Sequence, residues 1–212
     1  MNKIIVSLLI FISMSSIYAQ NGTWKISNAK APNGSTYQGT VEISKLRNAH
    51  LLSWQTTAGN YSGVGIAKGS AIYAGYGINI DYGVVVYELK ADGSLEGVWS
   101  TNKSAGMTGT EKVAGGKALN GTYDILGTNA GSNSPYRGSL TIKKTGTVYS
   151  LQWKVGSAIY NGVGILEGNT LAVGWGFGAA FGVVRYHVNG GTAKGVWAMG
   201  GGNTTGIEDL VK

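Results

Sequence analysis

The chain of 212 residues has no cysteine, two prolines, two histidines and three phenylalanines. Without cysteine it has neither a disulfide framework nor thiolate metal ligands, so it must be held by its own core. His50 and His187 fall in different halves at non-equivalent positions. A catalytic or metal-binding pair would need an unusual contact between the halves, and both are read as surface imidazoles. Charge is also scarce, at 13% of residues. With Lys3 set aside as part of a leader, 16 basic residues face 10 acidic ones, a net charge of +6. The basic residues, among them Lys25, Lys45, Arg47, Lys68, Lys103, Lys143 and Lys154, are scattered. Nucleic-acid binders gather them on one face or in one run, so a plain solvated surface is expected.

Long apolar runs are missing too, apart from one near the start. Lys3, the stretch from Ile4 to Ile17, and then Tyr18, Ala19 and Gln20 follow the order of a signal peptide, with cleavage expected after Ala19. A run of about 14 residues falls short of the roughly 20 that span a bilayer as a helix. No cysteine stands near the cleavage point to accept a lipid. Residues 1–19 are therefore expected to be removed, leaving a soluble secreted or periplasmic protein with no membrane insertion.

What the chain does have is a second copy of itself. Laid over itself at a shift of 99 residues, falling later to 98 and 97, nearly every landmark recurs. Trp24 returns as Tyr123, Tyr37 as Tyr136, Trp54 as Trp153 and Tyr61 as Tyr160; Tyr87 returns as Tyr186, Trp99 as Trp197 and Glu111 as Glu208. The shared residues run through the whole unit, which marks duplication rather than low complexity.

Within each copy the apolar residues alternate, the period of a half-buried strand. Tyr37, Gly39, Val41 and Ile43 oppose Gln38, Thr40, Glu42 and Ser44, and Val85, Tyr87 and Leu89 share a face as Val184, Tyr186 and Val188 do. Turn chemistry such as Pro32-Asn33-Gly34 and Ala91-Asp92-Gly93 separates the runs. The expectation is an all-β protein of two tandem antiparallel meanders of about eight strands each, closing as small up-and-down barrels that leave no exposed edge. The expected barrels are residues 20–114 and 121–212, joined by a linker over 115–120 and packed on each other. A rival arrangement has the copies exchanging strands or forming one continuous sheet. The 36 glycines suit strands that bend or pack closely, and neither Gly63-x-Gly65 nor Gly162-x-Gly164 opens a helix as a phosphate loop would.

The opening Gly22-Thr23-Trp24 resembles the G-x-W start of calycin barrels, the lipocalin and avidin group, in which the Trp plugs one barrel end. The second copy has Tyr123 instead, no last-strand Arg of the lipocalin kind stands to pack on the Trp, and no biotin site carries over. The fuller pattern of Gly162-Val163-Gly164-Ile165, Leu171 through Gly176, Gly182-Val183-Val184, Gly195-Val196-Trp197 and Gly206-x-Glu208 is similar to a family of small exported bacterial tandem-repeat proteins, most of them uncharacterised. Some carry the label fibronectin-binding, so that resemblance implies binding of a matrix protein.

The candidate functional residues are those that differ between the copies. Tyr76 and Trp175 differ in type at one equivalent position and are candidates to face a ligand. Arg185 and His187 stand where the first copy has Val86 and Glu88. Such divergence on a shared scaffold suits ligand contact, and it equally suits drift on a solvent face. Asp81, replaced by Ala180 in the second copy, completes the set. The positions kept in both copies (Trp24 and Tyr123, Trp54 and Trp153, Trp99 and Trp197, Glu111 and Glu208) are read as structural. The aromatics would fill a core opposite glycines, and the glutamates would bond strand-end amides. No second shared carboxylate makes a glycosidase pair. The expected function is a non-enzymatic exported binding module, without catalytic residues, metal or cofactor, for a small amphipathic molecule in a barrel mouth or for an extracellular macromolecule. The alternatives are a barrel enzyme of isomerase or cyclase type with a lone acid or base, which Asp81, His187 or Glu208 would supply, and an outer-membrane barrel.

Overall fold

The computed structural model describes residues 20–78, 81–116, 118–178 and 180–212; the expected leader lies outside these. Sixteen strands run through the described residues. The first copy forms β1 (Gly22–Lys30), β2 (Gly39–Leu46), β3 (Ala49–Thr56), β4 (Gly59–Lys68), β5 (Ala71–Gly77), β6 (Tyr82–Leu89), β7 (Leu95–Thr101) and β8 (Gly109–Val113). The second forms β9 (Gly121–Thr128), β10 (Pro135–Thr145), β11 (Val148–Val155), β12 (Ala158–Glu167), β13 (Thr170–Gly176), β14 (Phe181–Asn189), β15 (Thr192–Met199) and β16 (Gly206–Val211). All pair antiparallel, and they close into two eight-stranded barrels.

The barrels do not coincide with the copies. One barrel takes β1 to β5 from the first copy and β14 to β16 from the second, and the other is built from β6 to β13. The expected barrel boundaries at 20–114 and 121–212 are thus corrected: the chain changes barrel between β5 and β6 and again between β13 and β14. At both places a hairpin is replaced by a crossing. β5 pairs with β14, through Tyr76 opposite Gly182, and β6 pairs with β13, through Val85 opposite Val173. The two crossings lie side by side, the Ile78 N–H donating to the Ala180 carbonyl at 3.2 Å. Residues 114–120 do not join barrels at all. They link β8 to β9, which are neighbours in one barrel, with the Ala114 N–H on the Asp124 carbonyl at 3.0 Å.

Duplication makes this exchange cheap. Tyr87 and Tyr186, like Val85 and Val184, present the same side chains to whichever interior they enter, so exchanged and self-closed barrels have alike cores. Exchange then adds a second buried surface. β5, β6, β13 and β14 are buried on both faces over most of their length, as strands covered on both sides are. Their inward residues fill the barrels; their outward ones, such as Tyr73, Val84, Ala172 and Val183, form one cluster between the barrels with Val64, Ile66, Val163 and Ile165. Burying each larger aliphatic side chain there stabilises by about 1.5–3 kcal/mol. Contact is close enough to demand glycine. A Cβ at Gly75 would stand 1.9 Å from the carbonyl oxygen of Gly83, and one at Gly174 would stand 1.9 Å from that of Gly182.

Each interior is filled at one end. In the first barrel Trp24 is fully buried near the start of β1, its indole N–H donating to the Gln20 carbonyl at 3.0 Å. No Arg covers that ring, but the Lys212 ammonium lies 4.9 Å from its centroid, within cation–π range. Tyr123 at the corresponding place is half-buried and donates to the Asn120 carbonyl at 3.1 Å. His50 corrects its reading as a surface residue. It is 1% exposed, in phase with the inward Leu52 and Trp54, and neither ring nitrogen has a partner. Burial, with the positive charge of Lys45 adding to it, lowers its pKa to about 4.

Candidate functional site

The opposite end of each barrel is hollow. In the β6–β13 barrel a cavity of about 410 Å³ opens between Trp99, Tyr136, Trp153, Tyr160 and Trp175, with Glu111 in its lining. Alternation on β8 turns Gly109, Glu111 and Val113 inward together, which places a carboxylate, 4% exposed, inside a barrel. Its partners are side chains. The Trp153 indole donates to Oε1 at 2.9 Å, the Tyr136 hydroxyl donates to Oε2 at 2.7 Å, and the Tyr87 hydroxyl also donates to Oε1.

The other barrel repeats the arrangement. A cavity of about 220 Å³ is lined by Tyr37, Trp54, Tyr61, Tyr76, Trp197 and Met199 over Glu208. Trp54 donates to Glu208 Oε1 at 2.9 Å, and the Tyr186 hydroxyl donates to the same oxygen. Burial raises the Glu208 pKa against the lowering effect of these bonds. Burial first, and then the charge of Glu208, push the Tyr37 phenol far above its usual range. Strand-end amides are not the partners of either glutamate, which corrects that part of the sequence reading.

Both clusters are assembled from the two copies. Tyr37 and Trp54 come from the first and meet Tyr186 and Glu208 from the second; Tyr136 and Trp153 come from the second and meet Tyr87 and Glu111 from the first. The rings lie against glycines of neighbouring strands. A Cβ at Gly109 would be 2.6 Å from Trp99, one at Gly83 2.6 Å from Trp175, and one at Gly127 2.1 Å from Tyr136.

The sequence candidates divide between three places. Tyr76 and Trp175 line the two cavities. Arg185 and His187 point outward from β14 and both pair with Glu167 of β12, His187 Nε2 at 2.7 Å, so they bridge the barrels. Asp81 lies at a crossing, paired with Lys103 at 2.7 Å. Tyr136 and Tyr160, read as core positions in the sequence, also line cavities, and so does Met199, which went unassigned; its parity with Trp197 on the inward face of β15 is the signal that would have found it. Among the described residues no group of three His, Asp or Glu could hold a metal ion.

Comparison with protein-family models, with curated proteins and with solved structures finds no match for the chain. What fold and site define together is a class: an all-β protein of two closed eight-stranded barrels, each with an aromatic cavity over a buried glutamate.

Proposed function

We propose that the protein is an exported, non-enzymatic binding module that takes a small amphipathic molecule into its barrel mouths. The observation that carries this reading is the hollow end of each barrel, lined with aromatic rings and floored by a buried polar cluster, the composition of a small-molecule site. The outward positions Thr40, Glu42 and Ser44 of β2, and Thr141 and Lys143 of β10, suit a wall wetted by water rather than by lipid. The calycin-like opening weighs in the same direction. A matrix protein, implied by the resemblance to proteins labelled fibronectin-binding, is the partner to compare.

The test is tryptophan fluorescence and thermal shift against panels of lipids, sugars, small amphiphiles and fibronectin. A ligand of the cavities raises the melting temperature in wild type and loses that effect in Trp175→Ala and Tyr76→Ala. A shift with fibronectin alone, unchanged in both variants, would overturn the reading. The raised pKa of Glu208 beside aromatics favours one second reading, a lone-acid isomerase; turnover of any panel compound that disappears in Glu208→Gln would establish it.

A further inference from the structure

We infer that the larger cavity is a site for a small organic cation, an alkylated ammonium group on a compact apolar body. The inference rests on the proposed reading of the barrel mouth as a binding site and names its ligand class.

The floor sets the sign of charge. Glu111 accepts at both carboxylate oxygens from three neutral donors, Tyr87, Tyr136 and Trp153, so it acts as an acceptor at every contact. Among the described residues no Lys, Arg or His lines the cavity, so the carboxylate there has dipoles around it but no counter-charge from them. A buried charge without an opposite charge is costly, and an incoming cation supplies one. An anionic ligand would meet repulsion in a low-dielectric pocket.

The walls set the chemistry of the cation. Trp99 and Tyr136 meet edge to face at 73° with centroids 6.3 Å apart, and Tyr160 and Trp175 at 78° and 5.5 Å. Two perpendicular pairs make the corners of a box. Ring faces carry the negative part of the aromatic quadrupole, which attracts ammonium groups and is the basis of quaternary-ammonium cages. Tyr136 donates a hydrogen bond from its hydroxyl to Glu111, which makes its ring somewhat richer in electrons. A sugar would ask for many polar partners, whereas the lining beyond the floor offers chiefly Thr101 and Asn129. The volume of 410 Å³ falls within the range of small-molecule sites. The second cavity repeats the plan at 220 Å³, with Met199 where the first has Thr101, and should take only a smaller cation.

The experiment is calorimetric and fluorescence titration of the intact protein with choline and with its uncharged isostere 3,3-dimethylbutanol, alongside the neutral apolar dye Nile red. Choline is expected to bind about tenfold more tightly than the alcohol, a difference of cation–π and carboxylate origin. Glu111→Gln should remove that preference, so that choline binds no more tightly than the alcohol. If that variant does not fold, Thr101→Lys, which introduces a resident ammonium, should weaken choline more than it weakens the alcohol. Equal binding of choline and the alcohol, or no choline binding at all, overturns the cation inference. Nile red binding that is lost in Trp175→Ala would then leave the binding reading standing, and its absence from wild type would remove that reading as well.

Discussion

Glu167 occupies in the second copy the place that Lys68 holds in the first, with the opposite charge, and each faces a partner inverted to match. Lys68 on β4 meets Glu88 on β6 at 3.3 Å, and Glu167 on β12 meets His187 on β14 at 2.7 Å. Each pair bridges the barrels, and each joins residues of one copy. The divergence of His187 from Glu88 is therefore half of a compensated exchange. Lys68→Glu should destabilise slightly, through repulsion at an exposed pair. Adding Glu88→His, which transplants the second copy's pair, should recover most of that loss in urea unfolding. Strict additivity of the two changes would show that the sites do not communicate.

His50 should make stability depend on pH. Its pKa in the folded protein, about 4, lies below the ordinary 6.5, so the unfolded chain takes up the proton first. The stability it permits is complete above pH 6.5 and is lost as pH falls toward 4, by up to about 3 kcal/mol. Glu208 acts in the opposite sense. Its raised pKa makes the folded state bind the proton more readily, so its contribution is greatest below the ordinary carboxyl value of 4.5 and declines as pH rises through the folded one. Subtracting the urea stability of His50→Leu from that of wild type across pH 7 to 4 isolates the histidine. A flat difference would mean that the imidazole is solvated.

Glu111 should matter more to stability than either tyrosine bound to it. Glu111→Ala strands two buried donors and a half-buried one, an expected loss of about 2–4 kcal/mol, while Tyr87→Phe removes the bond to Glu111 and a longer one accepted from Trp153, which keeps Glu111 as a partner, and should cost about 1 kcal/mol. Urea midpoints for the two variants decide the order. A smaller loss for Glu111→Ala would mean that water replaces the carboxylate without difficulty.

The first copy alone, residues 20–116, should assemble as a dimer. Its β1 to β5 would pair with the partner's β6 to β8, bringing Trp54 to Tyr87 and Glu111 in place of Tyr186 and Glu208. Light scattering on the purified fragment should give twice the chain mass. A folded monomer would show that the joint at 78–81 can close as a hairpin.

Alternation carried most of the architecture. Val41, Ile43, Val85, Tyr87, Val184 and Tyr186 all lie inward, and the closure into two eight-stranded barrels follows the reading of two equal units. Strand exchange stood as a rival that the sequence could not decide for, because Tyr87 and Tyr186 are interchangeable inside a barrel and no local signal separates the two pairings. His50 and Glu111 were misread for another reason. Residue type was weighed above phase, yet both sit in register with inward neighbours, Leu52 and Val113. The Arg185 and His187 divergence was visible; its meaning needed Glu167 beside it, which only the docked barrels provide.

One pairing makes the molecule a ring. β1 lies beside β16, Lys25 opposite Val211, just as β8 lies beside β9, Lys112 opposite Leu126. A circularly permuted chain, joined from the end of β16 to the start of β1 and opened within 114–120, would trace the same pair of barrels with the roles of its halves traded. In such a molecule neither barrel is the first.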